Sequence, residues 1–236
     1  MKVTLLIPTL HEIEGMKKIM PQIKKEWVDQ ILVVDGNSND GTKEFCEQSG
    51  YEFLLQKGKG LKQAYFTALP HIKGDVVITF SPDGNSDASR IPDLVAKMRE
   101  GFDMVIVSRY LDWAKSDDDD MITGFGNWLF TKTVNVLFGS KLTDVMVMYR
   151  AFKKEIIYKL KLHEEKSYSL VEKLFFTDIS WEPLLSARAA HQKLSLAEIP
   201  GDEPPRIGGV RKLQIIRWGA AYYTQFILER FFSGKD

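Results

Sequence analysis

Five short apolar runs punctuate the first half of the chain: Val3 to Ile7, Ile31 to Val34, Phe53 to Leu55, Val76 to Phe80 and Met104 to Val107. Each is too short for a helix, and together they are rich in β-branched residues, the pattern of strands buried on both faces. Between them, apolar positions recur at helical spacing. Met16, Ile19, Met20, Ile23 and Trp27 make one such stripe, and Leu61, Ala64, Tyr65, Ala68 and Leu69 make another. The resulting β-α-β-α order predicts an α/β fold, a mainly parallel sheet with helices on both faces. Ligands of open sheets settle at the carboxyl ends of the strands, so the polar residues directly after each run are the places to look.

From Asp112 the pattern becomes irregular. An acidic run, Asp117 to Asp120, precedes an apolar helical segment, Phe125 to Phe138. An extended segment near Val145 to Phe152, a helix near Pro183 to Gln192, a short strand Leu194 to Ile199 and a Pro/Gly loop Gly201 to Gly209 follow. The acidic run reads as a solvated loop or as part of a mobile lid. No internal repeat and no linker divides the chain. Residues 1–212 read as one domain, and 213–236 as a C-terminal amphipathic helix packed on that domain, on a partner or on the membrane surface.

Arg217, Gln225, Glu229 and Arg230 interrupt that last segment, so it does not suit a bilayer span. Trp218, Tyr222, Tyr223 and Phe226 beside Arg206, Arg211 and Lys212 suit a headgroup boundary, or equally a second copy of the chain. The helix over 126–138 poses the same choice. Any membrane contact is therefore expected to be peripheral.

Lys+Arg and Asp+Glu balance at 32 each, which gives no reason to expect nucleic acid as a partner. Cys46 is the single cysteine, so there is no intrachain disulfide and no cysteine-rich metal site. The N-terminal apolar stretch ends at Pro8, too short for the core of a signal peptide. A reducing, cytoplasmic setting is expected, with the inner face of the cytoplasmic membrane in reach. His71, His163 and His191 show no zinc-ligand spacing.

Several strand-end clusters carry candidate chemistry. Asp35 ends the second strand, where a carboxylate can accept hydrogen bonds from a nucleobase or ribose. Asp40-Gly41-Thr42 reads first as a turn and helix cap. Lys57-Gly58-Lys59-Gly60 is either a solvated turn or an anion-binding loop at a helix start, without the spacing of a P-loop. In Phe80-Ser-Pro-Asp-Gly-Asn-Ser-Asp87, Pro82 and Gly84 demand a turn. That turn brings Asp83 and Asn85 within reach of one hard cation, Mg²⁺ or Mn²⁺.

Taken in order, these segments resemble one family. IPTLHE is similar to an I-P-x-x-N-E opening, VVDGNSNDGT to V-V-D-D-x-S-x-D-G-T, KGKG to a G-K-G loop, and FSPDGN to the D-A-D-x-Q metal motif of family 2 inverting glycosyltransferases. Within it the pattern is similar to the polyprenyl-phosphate sugar synthases, among them dolichyl-phosphate mannose synthase. Ser108-Arg109-Tyr110, Thr131, Asn135, Asp144 to Arg150, Glu198-Ile199-Pro200 and Arg206 to Leu213 extend the likeness.

The resemblance implies a GT-A fold, a Rossmann-like sheet that binds a nucleotide-sugar donor across its first strands. Pro8, Glu12 and Asp35 match positions around the base and ribose. Lys59 falls in the G-K-G loop on the donor side. Asp83 and Asn85 match the metal positions beneath the diphosphate, Arg109 and Thr131 those that receive an acceptor phosphate, and Arg206 and Lys212 the loop that closes over the donor. The implied reaction moves a sugar from a UDP- or GDP-sugar to polyprenyl phosphate with inversion, assisted by Mg²⁺ or Mn²⁺, in glycan biosynthesis.

Departures qualify this picture. Ser81 stands where the first metal-site Asp is usual, His11 replaces an Asn, Asn127 replaces an acceptor-site Arg, and Met148 replaces a Gly. One carboxylate fewer weakens the hold on a cation unless diphosphate oxygens and Asn85 complete it. A first alternative keeps the fold but glycosylates a saccharide or small-molecule hydroxyl, which needs a base. Glu182 is the candidate, with Asp178 as a lesser one, although a carboxylate before Pro183 also fits a helix start. A second alternative is a non-catalytic nucleotide-sugar-binding module. A nucleotidyltransferase fits less, for want of an early G-x-G-T-R-type loop.

Overall fold

The computed structural model describes residues 1–207 and 215–232. In chain order the elements are β1 (Val3–Thr9), α1 (Ile13–Ile19), β2 (Gln30–Asp35), α2 (Thr42–Ser49), β3 (Glu52–Leu55), α3 (Leu61–Ala68), β4 (Val76–Thr79), α4 (Ile91–Arg99) and β5 (Met104–Ser108). They continue with α5 (Met121–Phe138), β6 (Arg150–Lys153), α6 (Lys154–Lys159), α7 (Lys166–Phe175), α8 (Glu182–His191), β7 (Leu196–Pro200) and α9 (Ile215–Phe231).

The sheet order is β3-β2-β1-β4-β6-β5-β7. All pairs are parallel except those of β6, which runs antiparallel to both β4 and β5. The apolar runs alternate between two cores, as the two-residue period of a strand requires. On β1, Leu5 and Ile7 join Met16 of α1 and Leu94 of α4, whereas Leu6 joins Tyr65, Trp181 and Phe226 on the other face. The expected mainly parallel sheet with helices on both faces is the architecture observed, but the Phe53 to Leu55 run is not buried on both faces: β3 is an edge strand, and Leu55 is 55% exposed.

Two further local readings are corrected. The stripe from Met16 to Trp27 is not one helix: α1 stops at Ile19, and short 3-10 turns occupy Met20–Gln22 and Lys25–Trp27. Pro21 is the physical reason, since it has no N–H to continue the helical ladder. The helix expected to begin at Phe125 starts at Met121 instead, because Asp120 caps it. The Asp120 carboxylate accepts from the Ile122 and Thr123 N–H groups, and the Thr123 hydroxyl is bonded back to the cap.

The described part of α9 is built into the domain, against α5, α7 and α8, with Ala221, Tyr222 and Phe226 buried in the second core. Lys212 and the boundary at residue 213 lie outside the described residues. Among the described residues, no helix is long and apolar enough to cross a membrane.

Candidate active site

A cleft of about 660 Å³ opens at the carboxyl edge of the sheet. The loops after β1, β4, β5 and β7 form its rim, and α5, α8 and α9 close its far side. It lies where β1 and β4 meet and successive strands begin to add in the opposite direction, the usual ligand crevice of such sheets. Gly15 brings α1 directly under the Ser81-Pro82-Asp83 turn. A Cβ there would stand 2.4 Å from the Pro82 carbonyl oxygen.

Asp83 is 3% exposed and lines the cleft. Its Oδ2 pairs with Arg206 Nη1 at 3.1 Å, and its Oδ1 accepts from the Asn85 N–H at 3.2 Å. Arg206 Nε also reaches Asp118 Oδ2 at 3.3 Å. The Ile207 N–H donates to the Asp83 carbonyl at 2.8 Å, which fastens the loop after β7 onto the turn. Gly84, at φ +96°, makes this docking possible, since a Cβ there would sit 2.5 Å from the Ile207 side chain.

Arg109, at the end of β5, is almost fully buried and doubly paired. Nε and Nη2 form a fork on Asp144 at 2.6 and 3.0 Å, and Nη1 meets both Glu203 oxygens at 3.3 and 3.1 Å. Burial works against the guanidinium charge, but Asp144 and Glu203 more than offset it, and the group is held protonated. Glu203 also accepts from the Ser116 hydroxyl and lies 3.5 Å from the Asn85 side-chain amide.

Glu182 opens α8, with Pro183 next to it, so the first-turn reading is met. Glu182 is also among the residues that line the cleft. Its Oε1 accepts the Tyr65 hydroxyl, whereas Oε2 is buried with no hydrogen-bond partner among the described residues. Burial, and then the Glu182 charge, push the Tyr65 hydroxyl well above its usual range, so it remains a donor. Tyr65 is stacked on Trp181 at 4.3 Å, which fixes the donor's direction.

Of the residues singled out in the sequence, Pro8, Glu12, Asp83, Asn85, Arg109, Glu182 and Arg206 share this cleft, as do Ser81 and Asp178. Three others stand behind it or away from it. Asp35 is 2% exposed and holds the following turn, accepting from the Ser38 N–H and hydroxyl, while Ser38 Oγ accepts from the His11 N–H. The Thr131 hydroxyl accepts from the Val145 N–H at 3.4 Å. Lys59 is exposed beside Gly60, which does line the cleft. Asp40 keeps the turn reading but is not the helix cap: Gly41 stands at the cap of α2 with no side-chain bond, while the Asp40 carboxylate accepts from the Thr42 N–H and hydroxyl and from the Ile13 N–H at the start of α1.

Sequence reasoning missed Glu203, the Tyr65 partner of Glu182 and the work of the acidic run. That run is not simply solvated. Asp118 pairs with Arg206, Asp119 accepts from Tyr110 and Asn127, and Asp120 caps α5. The four consecutive acids were the visible signal, but their partners lie far along the chain.

Asp83 supplies a carboxylate, Asn85 an amide and Ser81 a hydroxyl, all lining the cleft. Among the described residues, no three His, Cys, Asp or Glu side chains converge as a metal group. This donor set fits Mg²⁺ or Mn²⁺ of the kind held by one carboxylate together with substrate phosphates and water, rather than in a cage of protein ligands.

Residues 4–161 match glycosyl transferase family 2. Glycosyltransferase AglJ of Haloferax volcanii is 29% identical over 161 residues, which cover 68% of this chain and 53% of that protein. Undecaprenyl-phosphate 4-deoxy-4-formamido-L-arabinose transferase of Salmonella choleraesuis is 26% identical over 182 residues, 71% of this chain and 54% of that protein. The chain thus spans about half the length of the curated relatives it matches. Among solved structures, glucosyl-3-phosphoglycerate synthase from Mycobacterium tuberculosis, in complex with Mn²⁺, UDP and phosphoglyceric acid, superposes with a TM-score of 0.66 at 16% identity. That match covers 97% of this chain and 78% of the synthase and shows a shared GT-A fold.

Proposed function

The chain belongs to glycosyl transferase family 2, and from that premise we propose that it moves a sugar, with inversion, from a UDP- or GDP-sugar to polyprenyl phosphate. The observation that carries this reading is the convergence of Asp83, Arg206 and Arg109 on one cleft at the sheet's carboxyl edge. A relative named for undecaprenyl phosphate supports the acceptor.

Pro8 and Glu12 flank the nucleoside, with Asp35 holding the turn behind them. Arg206, joined by Lys212, neutralises the diphosphate. Asp83 and Asn85 hold Mg²⁺ or Mn²⁺, which when bound stabilises the charge gathering on the leaving group. An acceptor phosphate oxygen, guided by Arg109, attacks the anomeric carbon from the side opposite the diphosphate. The new C–O bond forms as the bond to the β-phosphate breaks, and the electron pair leaves with the nucleoside diphosphate. Thr131 supports the acceptor side from beneath, through the Val145 N–H. The phosphate is already ionised near neutral pH and needs no strong base.

On α5, Ile122, Phe125 and Trp128 are exposed, and Ile122 lines the cleft as well. This apolar rim suits peripheral contact with the membrane surface that carries a lipid-linked acceptor.

The test is incubation of the pure protein with a panel of nucleotide-sugars, Mg²⁺ or Mn²⁺ and undecaprenyl phosphate. Acceptor-dependent release of nucleoside diphosphate is expected. No release with any donor, with or without other acceptors, sinks the proposal.

One observation favours a second reading, transfer to a saccharide or small-molecule hydroxyl. Glu182 lines the cleft, and its buried Oε2 has no hydrogen-bond partner among the described residues, which leaves it the lone pairs a base needs to take a hydroxyl proton.

A further inference from the structure

Arg109 is the cation on the acceptor side, yet its charge is already outnumbered. Asp144 occupies Nε and Nη2, and Glu203 occupies Nη1. One guanidinium against two carboxylates leaves a centre of net negative charge, which repels a phosphate.

The two carboxylates differ in how firmly they are held. The Asp144 side chain is 0% exposed, and its Oδ1 also accepts from the Met146 and Val147 N–H groups at 3.2 Å. It cannot withdraw without leaving several donors unsatisfied. Glu203 lies at the cleft wall with its side chain 12% exposed. It also accepts from the Ser116 hydroxyl and lies 3.5 Å from the Asn85 amide, so two polar neighbours remain to it when Arg109 is given up.

Glu203 is also coupled to the donor side through the chain. Its backbone pairs with Lys115 and Asp117, and Arg206, three residues on, ties the same two segments together by its contact with Asp118. Arg206 holds Asp83, the carboxylate beneath the expected diphosphate. A diphosphate bound over Asp83 would compete with that carboxylate for Arg206, and the segments paired with Glu203 would move with the arginine.

We propose that Glu203 occupies the phosphate-receiving edge of Arg109 until a donor binds, so that it sets both the affinity for the acceptor and the order in which the two substrates enter. This rests on the reading of polyprenyl phosphate as acceptor. Glu203 is a positioning residue: it acts through Arg109 and does not touch the reacting atoms. The departure of its charge converts Arg109 from a satisfied pair into an anion site.

The probe is farnesyl phosphate, titrated calorimetrically into wild type and Glu203→Gln, each alone and with UDP or GDP plus Mg²⁺. Wild type is expected to bind it only when a nucleotide is present. Glu203→Gln keeps the side-chain shape but loses the charge, and it is expected to bind farnesyl phosphate without nucleotide. Its acceptor KM should fall about tenfold, a larger change than in kcat. Glu203→Asp, which retains the charge, should resemble wild type in requiring nucleotide.

Equal binding by wild type with and without nucleotide overturns the inference, and this result stands even if the Gln variant fails to fold. So does an unchanged or raised acceptor KM in a Gln variant that melts like wild type. Binding by neither protein under any condition, with no transfer to undecaprenyl phosphate, overturns the acceptor reading itself and this inference with it.

Discussion

Arg206 Nη1 stands 3.1 Å from Asp83 Oδ2, joining the loop after β7 to the turn after β4 across the cleft. The same carboxylate is the strongest candidate for a divalent cation, so ion and arginine compete for it. Asp83→Ala is expected to lower nucleoside diphosphate release by about two orders of magnitude, the range seen when a charge-stabilising group is removed from a site. Manganese binding followed by electron paramagnetic resonance should weaken in parallel. Normal Mn²⁺ binding by the variant would exclude Asp83 as a ligand.

Ser81→Asp adds a carboxylate two residues before Asp83. Tighter Mn²⁺ binding is expected, read from the same titration, because hard cations gain from each added carboxylate. Unchanged affinity would mean that Ser81 does not face the ion.

Asp144 neutralises Arg109 where neither side chain meets much water. Asp144→Ala leaves a buried guanidinium with one remaining partner, and a loss of about 3–5 kcal/mol in urea unfolding is expected. A loss below about 1 kcal/mol would show that Glu203 alone satisfies the arginine.

Glu182→Gln separates the two acceptor readings. Tyr65 can still donate to the amide oxygen, so the variant should retain its packing. Transfer to a hydroxyl should fall by about two to four orders of magnitude, the usual contribution of a general base, while transfer to a phosphate is largely spared. The comparison is made by product analysis with undecaprenyl phosphate and with saccharide acceptors.

Cys46 lies fully buried on α2, and burial, followed by the nearby Asp35 and Glu47 charges, pushes its thiol up to about 12. The thiolate is the reactive form, and at pH 8 only roughly one molecule in ten thousand carries it. Iodoacetamide should therefore label the native protein very slowly and the urea-unfolded protein readily. The raised value also fixes a sign. The thiol's contribution to stability is complete below its unfolded pKa near 9.0 and is lost as pH rises toward 12. Rapid native labelling at pH 8 would contradict this burial.

The strands were legible because runs such as Val76 to Phe80 need no partner to declare themselves; burial on both faces writes them as unbroken apolar stretches. The turn with Asp83 and Asn85 was legible for a similar reason, since Pro82 and Gly84 are local signals. What escaped was everything set by distant pairing. Glu203 meets Arg109 across 94 positions, Arg206 meets Asp118 across 88, and Glu182 meets Tyr65 across 117. A carboxylate in a Pro/Gly loop looks like any other until the fold supplies its cation.

The residues that line the cleft fall into two sets along the chain, with α4 between them. Pro8, Glu12, Asp83 and Asn85 all precede α4, whereas Arg109, Glu182 and Glu203 all follow it. Recombination within α4 would exchange one set of recognition residues and leave the other intact. On the proposed reading, a lineage built on this sheet can change what it gives and what it gives to by separate inheritance, with the Arg206–Asp83, Glu203–Asn85 and Ile207–Asp83 contacts as those that must suit both parents.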